Sequence, residues 1–228
     1  MSAPDVRAFT VGPVQENSYI VRARADATSA LIVDPGDEPE RLLAAADALG
    51  VQIEAILVTH CHFDHIGAVA PVAEATGAPV YCPQIERPVL ADVMSWVPPG
   101  FGPFDSYDAD HTLAGGERLS LAGLDIEVIF TPGHSPGHLT YAVPGALLSG
   151  DVLFQGSVGR VDLPGGDWAT LECSIESLLT AFPAETIVYP GHMGVTTLGR
   201  ERDSNPFLSE LRQRVPRAAA ADAAPAPR

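Results

Sequence analysis

A chain of 228 residues that is 46% hydrophobic has enough apolar material for a sizeable core, and no segment reaches the ~18 consecutive apolar residues of a membrane span. Its net charge of −16, with arginine supplying all 13 basic residues, argues against a nucleic acid or other polyanion as partner, because phosphate binding needs clustered cations. Three cysteines (Cys61, Cys82 and Cys173) are too few for a disulfide framework, and the N-terminus lacks the basic start and apolar run of a secretory signal, so the expected location is cytoplasmic.

Val6 to Thr10 and Asn17 to Arg22 read as short strands. Ala30 to Asp34 is a buried strand closed by the Pro35-Gly36 turn. Pro39 to Leu49 has the helical spacing of Leu42, Leu43, Ala46 and Leu49, with Gly50 at its end. Ile53 to Val58 is a second buried strand, and His60 follows it closely. Gly67 to Thr76 reads as a helix stopping at Gly77, despite the internal Pro71. Pro79 to Cys82 is a short strand. Trp96 to Tyr107, rich in Pro, Gly and aromatics, reads as a loop, with Trp96, Phe101 and Phe104 as candidate pocket walls or, equally, core residues. His111 is expected in a solvated polar turn, and Cys82 and Cys173 are expected to be buried.

The second half repeats the rhythm. Glu117 to Leu121, Asp125 to Phe130, Leu139 to Val143 and Ala146 to Ser149 read as strands. Asp167 to Ala181 is a helix, Thr186 to Tyr189 a strand, and Asn205-Pro206 opens a last helix to about Val215. This order suits an α/β chain folded as an αββα sandwich, two mixed sheets flanked by helices. One domain is expected over residues 1–217, with a disordered tail over 218–228.

His60, His62, Asp64 and His65 crowd into six residues after a buried strand. A lone histidine is more often structural, but imidazole and carboxylate at this density are the ligand set of zinc, and also of iron or manganese. On an extended strand end His60 and His62 point to one side and can grip one ion; after a turn, Asp64 and His65 can reach a second. Two ions ~3.5–4 Å apart can share one hydroxide. Cys61 should point away from the ligands that flank it. Three further residues share one context, an apolar strand and then a glycine directly before a ligand type: His134, Asp151 and His192. Arg160, in a Gly-rich loop, is a candidate for holding a substrate carboxylate, with an ordinary surface ion pair as the competing reading. His138 is a weaker candidate for a supporting or substrate role.

The motif His60-Cys61-His62-Phe63-Asp64-His65, with Thr131-Pro132-Gly133-His134, Gly150-Asp151 and Gly191-His192, resembles the metallo-β-lactamase superfamily, and within it the short single-domain glyoxalase II-like hydrolases. The resemblance implies His60, His62 and His134 on a first metal, Asp64, His65 and His192 on a second, and Asp151 bridging. Two Zn2+ ions are the expected cofactors, with Fe or Mn as alternatives. The implied activity is thioester hydrolysis (S-lactoylglutathione or a related thiol conjugate) by a metal-bridging hydroxide that Asp64 orients. Little chain follows His192, where full-length glyoxalase II carries its glutathione-binding helices, so the thiol stays open. So do a mononuclear iron persulfide dioxygenase on His60, His134 and Asp151, a lactonase or β-lactamase activity, and a metal-binding protein without catalysis. The expected partner is a small molecule, with no nucleic acid and no membrane; nothing in the sequence speaks to oligomeric state.

Overall fold

Twelve of the fourteen strands settle into two six-stranded sheets in the computed structural model, which describes residues 3–214. The first sheet runs in sequence order: β1 (Asp5–Val11), β2 (Glu16–Arg22), β3 (Ser29–Val33), β4 (Gln52–Leu57), β5 (Val80–Pro83) and β6 (His111–Leu113). β1 to β3 pair antiparallel, while β3 to β6 pair parallel. Parallel neighbours need crossovers, and helices supply them. α1 (Pro39–Leu49) joins β3 to β4; the single turn α2 (Phe63–Ile66) and then α3 (Val69–Thr76) lead to β5; α4 (Arg87–Leu90) precedes β6.

The second sheet contains β7 (Arg118–Leu121), β8 (Leu124–Phe130), β9 (Leu139–Val143) and β10 (Ala146–Gly150). A small hairpin of β11 (Leu153–Phe154) and β12 (Ser157–Val158) follows, then α5 (Trp168–Ala181), β13 (Ile187–Pro190) and β14 (Thr196–Thr197). The spatial order is β14-β13-β10-β9-β8-β7, and α5 is the crossover that lets β13 lie parallel to β10. α6 (Leu198–Ser204) and α7 (Leu211–Arg214) close the described chain.

Apolar alternation explains the layering. On β8, Leu124, Ile126 and Val128 face inward and meet Tyr19, Val21, Leu31 and Leu57 from the first sheet. The opposite face of the first sheet packs Ile20, Ile32 and Ile56 against Leu42 of α1 and Val69 and Val72 of α3. The outer face of the second sheet packs Leu147 and Val188 against Leu171, Ile175 and Leu178 of α5. Each fully buried Leu or Ile contributes about 1.5–3 kcal/mol. Three cores between four layers make the expected αββα sandwich.

Local signals account for most helix ends. Gly50, at φ 65, closes α1 by donating its N–H to the Ala46 and Asp47 carbonyls. Pro71 is tolerated because it falls in the first turn of α3, where its missing N–H would have had no helical partner. That helix therefore begins at Val69, and Gly67 sits outside it. Asp167 caps α5 by accepting from Thr170 N at 2.8 Å.

Three expectations are corrected, and one helix was not foreseen. Cys173 is exposed, because the buried face of α5 is formed by Leu171, Ser174, Ile175, Leu178 and Leu179. His111 remains exposed but lies in β6, its ring 4.5 Å from that of Tyr81 across the strand pair. The single last helix is instead a 3-10 turn at Pro206–Leu208 followed by α7. Ahead of it stands α6, which has almost no apolar stripe. It is anchored through buried Glu201, which accepts from Gly156 N at 2.7 Å, Thr196 Oγ1 at 2.5 Å and Asn205 Nδ2 at 2.9 Å. The domain limit at 217 and the tail 218–228 lie outside the described residues. Among those described, no helix is long and apolar enough to cross a membrane.

Candidate metal centre

The strands that carry the candidate ligands end at one rim. His60 and His62 follow β4, His134 lies between β8 and β9, Asp151 follows β10, and His192 follows β13. α2 then lifts Asp64 and His65 to the same place. Close backbone approach is required here. A Cβ on Gly191 would stand 2.3 Å from Asp151 Oδ1, and Gly150 takes a φ of 46°.

All seven predicted residues converge. His62 Nδ1 lies 3.1 Å from His60 Nε2 and 2.8 Å from His134 Nε2. Asp64 Oδ2 lies 3.2 Å from His192 Nε2 and 3.9 Å from His65 Nε2. The donor atoms of each triplet lie within 4.8 Å of one another. Asp151 stands between the triplets, Oδ2 at 3.4 Å from His134 Nε2 and Oδ1 at 3.4 Å from His65 Nε2.

The imidazole tautomers test whether this arrangement suits metal ions. His134 Nδ1 can only donate to the Arg160 carbonyl at 2.7 Å, and His192 Nδ1 to the Gln15 carbonyl at 3.2 Å. His65 Nδ1 donates to Asp34 Oδ2 at 2.9 Å. Thr59 Oγ1 donates to Asp34 Oδ2 at 2.6 Å and so accepts from His60 Nδ1 at 3.0 Å. In the neutral rings, each of these four Nε2 atoms then presents a lone pair inward. Lone pairs converging at such distances repel unless a cation lies among them. Among the described residues, His65 Nε2 and Asp151 Oδ1 are also buried without a hydrogen-bond partner, where such groups are normally satisfied. The donor set therefore fits two metal ions, one per triplet with Asp151 between.

The two triplets differ electrostatically. Burial, with His134 close by, pushes His62 down to about 4. Burial likewise holds His60 well below the usual imidazole range. Burial works against a charge on His65, but Asp151, Asp34 and Asp64 outweigh it and hold that ring protonated above the usual range. His192 is raised as well, because its bond to Asp64 and the Asp151 charge overcome burial. Burial would raise Asp151, yet His65, His134 and His192 hold its carboxyl far below the ordinary range.

A cation at the Asp64–His65–His192 triplet must therefore displace the His65 proton at neutral pH. One at His60–His62–His134 meets competition from His62 only near its pKa of about 4. Lowering the pH from 7 to 5 is expected to weaken binding at the former triplet first. Zinc titration calorimetry in buffers of different ionisation enthalpy reads the released protons; equal pH slopes for both sites would contradict this assignment.

Several supporting residues escaped the sequence reading. Asp34, directly after β3, accepts from Thr59 N at 2.7 Å as well as from Thr59 Oγ1 and His65. Its position at the end of an apolar strand was the same signal that marked the ligands. Glu16 is wholly buried beside His65, with Oε1 3.8 Å from Nδ1, and burial raises its carboxyl well above the usual range. His138, the weaker candidate of the sequence, takes a supporting place: Nε2 accepts from Asp151 N at 3.0 Å while Nδ1 donates to Thr131 Oγ1. Cys61 points away from its neighbours, as expected, with Sγ 3.5 Å from that of Cys82.

The side chain of Arg160 is 62% exposed and forks onto Asp162 at 2.7 and 2.8 Å, the geometry of a surface ion pair. Its carbonyl accepts from His134 Nδ1. A cleft of about 300 Å³ opens beside Asp64, with Phe63, Phe101, Phe104, Val11 and Asp37 among its lining residues. Phe101 and Phe104 are thus pocket walls, while Trp96 is 58% exposed and absent from that lining.

Comparison with known proteins agrees with this geometry. Residues 11–192 match the metallo-beta-lactamase superfamily. The chain is 41% identical to the probable metallo-hydrolase YqgX of Bacillus subtilis, covering 89% of this chain and 97% of that protein. It is 35% identical to the hydroxyacylglutathione hydrolase GloC of Haemophilus influenzae, covering 90% and 98%. A crystal structure of TTHA1623 in a di-iron-bound form is 43% identical and superposes with a TM-score of 0.72, over 89% of this chain and all of that one. With relatives matched along nearly their whole length and a donor set suited to two ions, the chain belongs to the metallo-β-lactamase superfamily and is a metal-dependent hydrolase.

Proposed function

We propose that the chain is a thioesterase that hydrolyses S-acylated small thiols, with two Zn2+ ions as its cofactors. The observation that carries this reading is the complete pair of triplets, His60–His62–His134 and Asp64–His65–His192, joined through Asp151. The name of the Haemophilus relative supports the reaction class. When bound, such ions lower the pKa of a shared water to around 7 and polarise a carbonyl. The protein's own part is positioning. Asp64 sits at the edge of the cleft, where its carboxylate orients the attacking water by accepting a hydrogen bond from it. Phe63, Phe101 and Phe104 give the acyl or thiol portion an apolar wall and exclude water from it.

The charged side chains lining this cleft are the carboxylates Asp37 and Asp64, and Arg160 is engaged with Asp162. Neutral thioesters should therefore bind better than the doubly carboxylated S-lactoylglutathione. The mononuclear iron alternative uses only His60, His134 and Asp151. His65 Nε2, without a hydrogen-bond partner among the described residues and beside Asp64 and Asp151, favours a second ion instead.

Metal-quantified protein assayed on S-lactoylglutathione, neutral acyl thioesters, a lactone, a β-lactam and a persulfide tests the proposal. Thioester hydrolysis that is lost on chelation and restored by Zn2+ is the expected result. One iron per chain with oxygen uptake on the persulfide, or no thioester turnover at all, would overturn it.

A further inference from the structure

Four of the five candidate histidine ligands are oriented through the far ring nitrogen, by Thr59, Asp34, the Arg160 carbonyl or the Gln15 carbonyl. His62 differs: among the described residues its ring contacts run through Nδ1, toward His60 and His134. Something else must fix where this ring stands.

Glu86 lies away from every ligand strand, just before α4, yet it is only 5% exposed. Its Oε2 accepts from Cys61 N at 2.5 Å, the peptide N–H between His60 and His62. Its Oε1 accepts from Ser135 Oγ at 2.5 Å and from Gly137 N at 2.8 Å. Ser135 adjoins His134, and Gly137 adjoins His138, which in turn holds Asp151 N. One carboxylate thus ties the ligand loop of the first sheet to that of the second. The backbone bond from Leu139 N to Thr59 O joins the bases of these loops, and Glu86 joins them beside the ligands.

We propose that Glu86 is a positioning residue that sets the separation of His62 from His134 by clamping the Cys61 peptide to the Ser135–Gly137 turn. A carboxylate suits this task because both of its oxygens accept. Glutamine offers one acceptor and one NH2 group, so it can satisfy one loop only by turning a donor toward the other. Aspartate is a methylene shorter and cannot span both. The inference rests on the ligand assignment of the proposed function.

The test is Glu86→Gln in the full chain. Site occupancy is read by 113Cd NMR of cadmium-loaded protein, and Zn2+ affinity by chelator competition. The expected result is an affinity loss of about 10–100-fold at His60–His62–His134, with Asp64–His65–His192 within about twofold of wild type. A merely structural role would weaken both sites together. Equal weakening, or no weakening in a folded variant, would overturn the proposal. If Glu86→Gln lacks a cooperative unfolding transition, Ser135→Ala decides, since it removes one hydroxyl and keeps the Cys61 link. A smaller loss confined to the same site supports the clamp, and no site-selective loss overturns it. Should wild-type protein bind a single ion on His60 and His134, the two-metal reading fails on its own, and Glu86→Gln is still expected to weaken that ion.

Discussion

Asp64→Asn is expected to lower kcat by about 10²–10⁴-fold, while the unfolding midpoint of the metal-free chain moves by no more than a few degrees. Asp64 sits on the one-turn helix α2 at the lip of the cleft and is partly exposed, unlike the wholly buried His65 next to it. Burial would raise its carboxyl, but the bond to His192 and the charge of His65 hold it below the ordinary range. It is therefore ionised at neutral pH and able to orient a water by accepting its hydrogen bond. Asparagine keeps the shape and an oxygen for coordination, and loses the charge and the basicity. Substitutions of partly exposed side chains outside the core usually change stability little. Steady-state kinetics on protein with measured metal content, beside thermal denaturation of the metal-free form, separates the outcomes. Unchanged kcat at full metal occupancy would remove Asp64 from the chemistry, and a kcat loss that simply tracked missing metal would reduce it to a ligand.

The candidate ligands were legible because they are scarce residue types standing directly after apolar runs. β4, β8, β10 and β13 each announce themselves by buried Val, Leu or Ile, and His60, His134, Asp151 and His192 follow within a few residues. The layers were legible for the same reason, since the period of the apolar residues states which face packs. The supports were not. Glu86 binds donors 25 and 51 residues away, Glu201 one 45 residues away, and Asp34 a threonine 25 residues away. Nothing beside them in the chain shows these partners, and a buried carboxylate held by backbone N–H groups reads locally as a surface residue. α6 was missed on this account, being fastened by Glu201 rather than by an apolar stripe. Arg160 was open between a substrate-holding guanidinium and a surface ion pair; in the structure its side chain pairs with Asp162, and its contact with His134 is a main-chain carbonyl, which any residue carries.

Asp34→Asn carries the second large expectation, and it falls on the opposite triplet from Glu86→Gln. The carboxylate accepts from three buried donors, Thr59 N, Thr59 Oγ1 and His65 Nδ1. Asp34 also has a φ of 49°, a left-handed conformation that asparagine tolerates and alanine does not, so the amide isolates the hydrogen bonding from backbone strain. An amide oxygen at the Oδ2 position keeps Thr59 Oγ1 and His65 Nδ1 but not Thr59 N, and one at the Oδ1 position keeps Thr59 N alone. The NH2 group then faces the remaining donor or donors, leaving a buried N–H or O–H unpaired, at about 1–3 kcal/mol. If the loss falls on His65, nothing fixes the proton on Nδ1, and the lone pair on Nε2 toward Asp64 and Asp151 is no longer enforced. The expected outcome is a stability loss of about 1–3 kcal/mol in denaturant titration. An affinity loss of about 10–100-fold at the Asp64–His65–His192 site should accompany it, with the three-histidine site retained. Together the two variants should strip opposite ions from one protein. Loss of the three-histidine site in Asp34→Asn, with the other kept, would show that Asp34 acts through Thr59 and His60 rather than through His65.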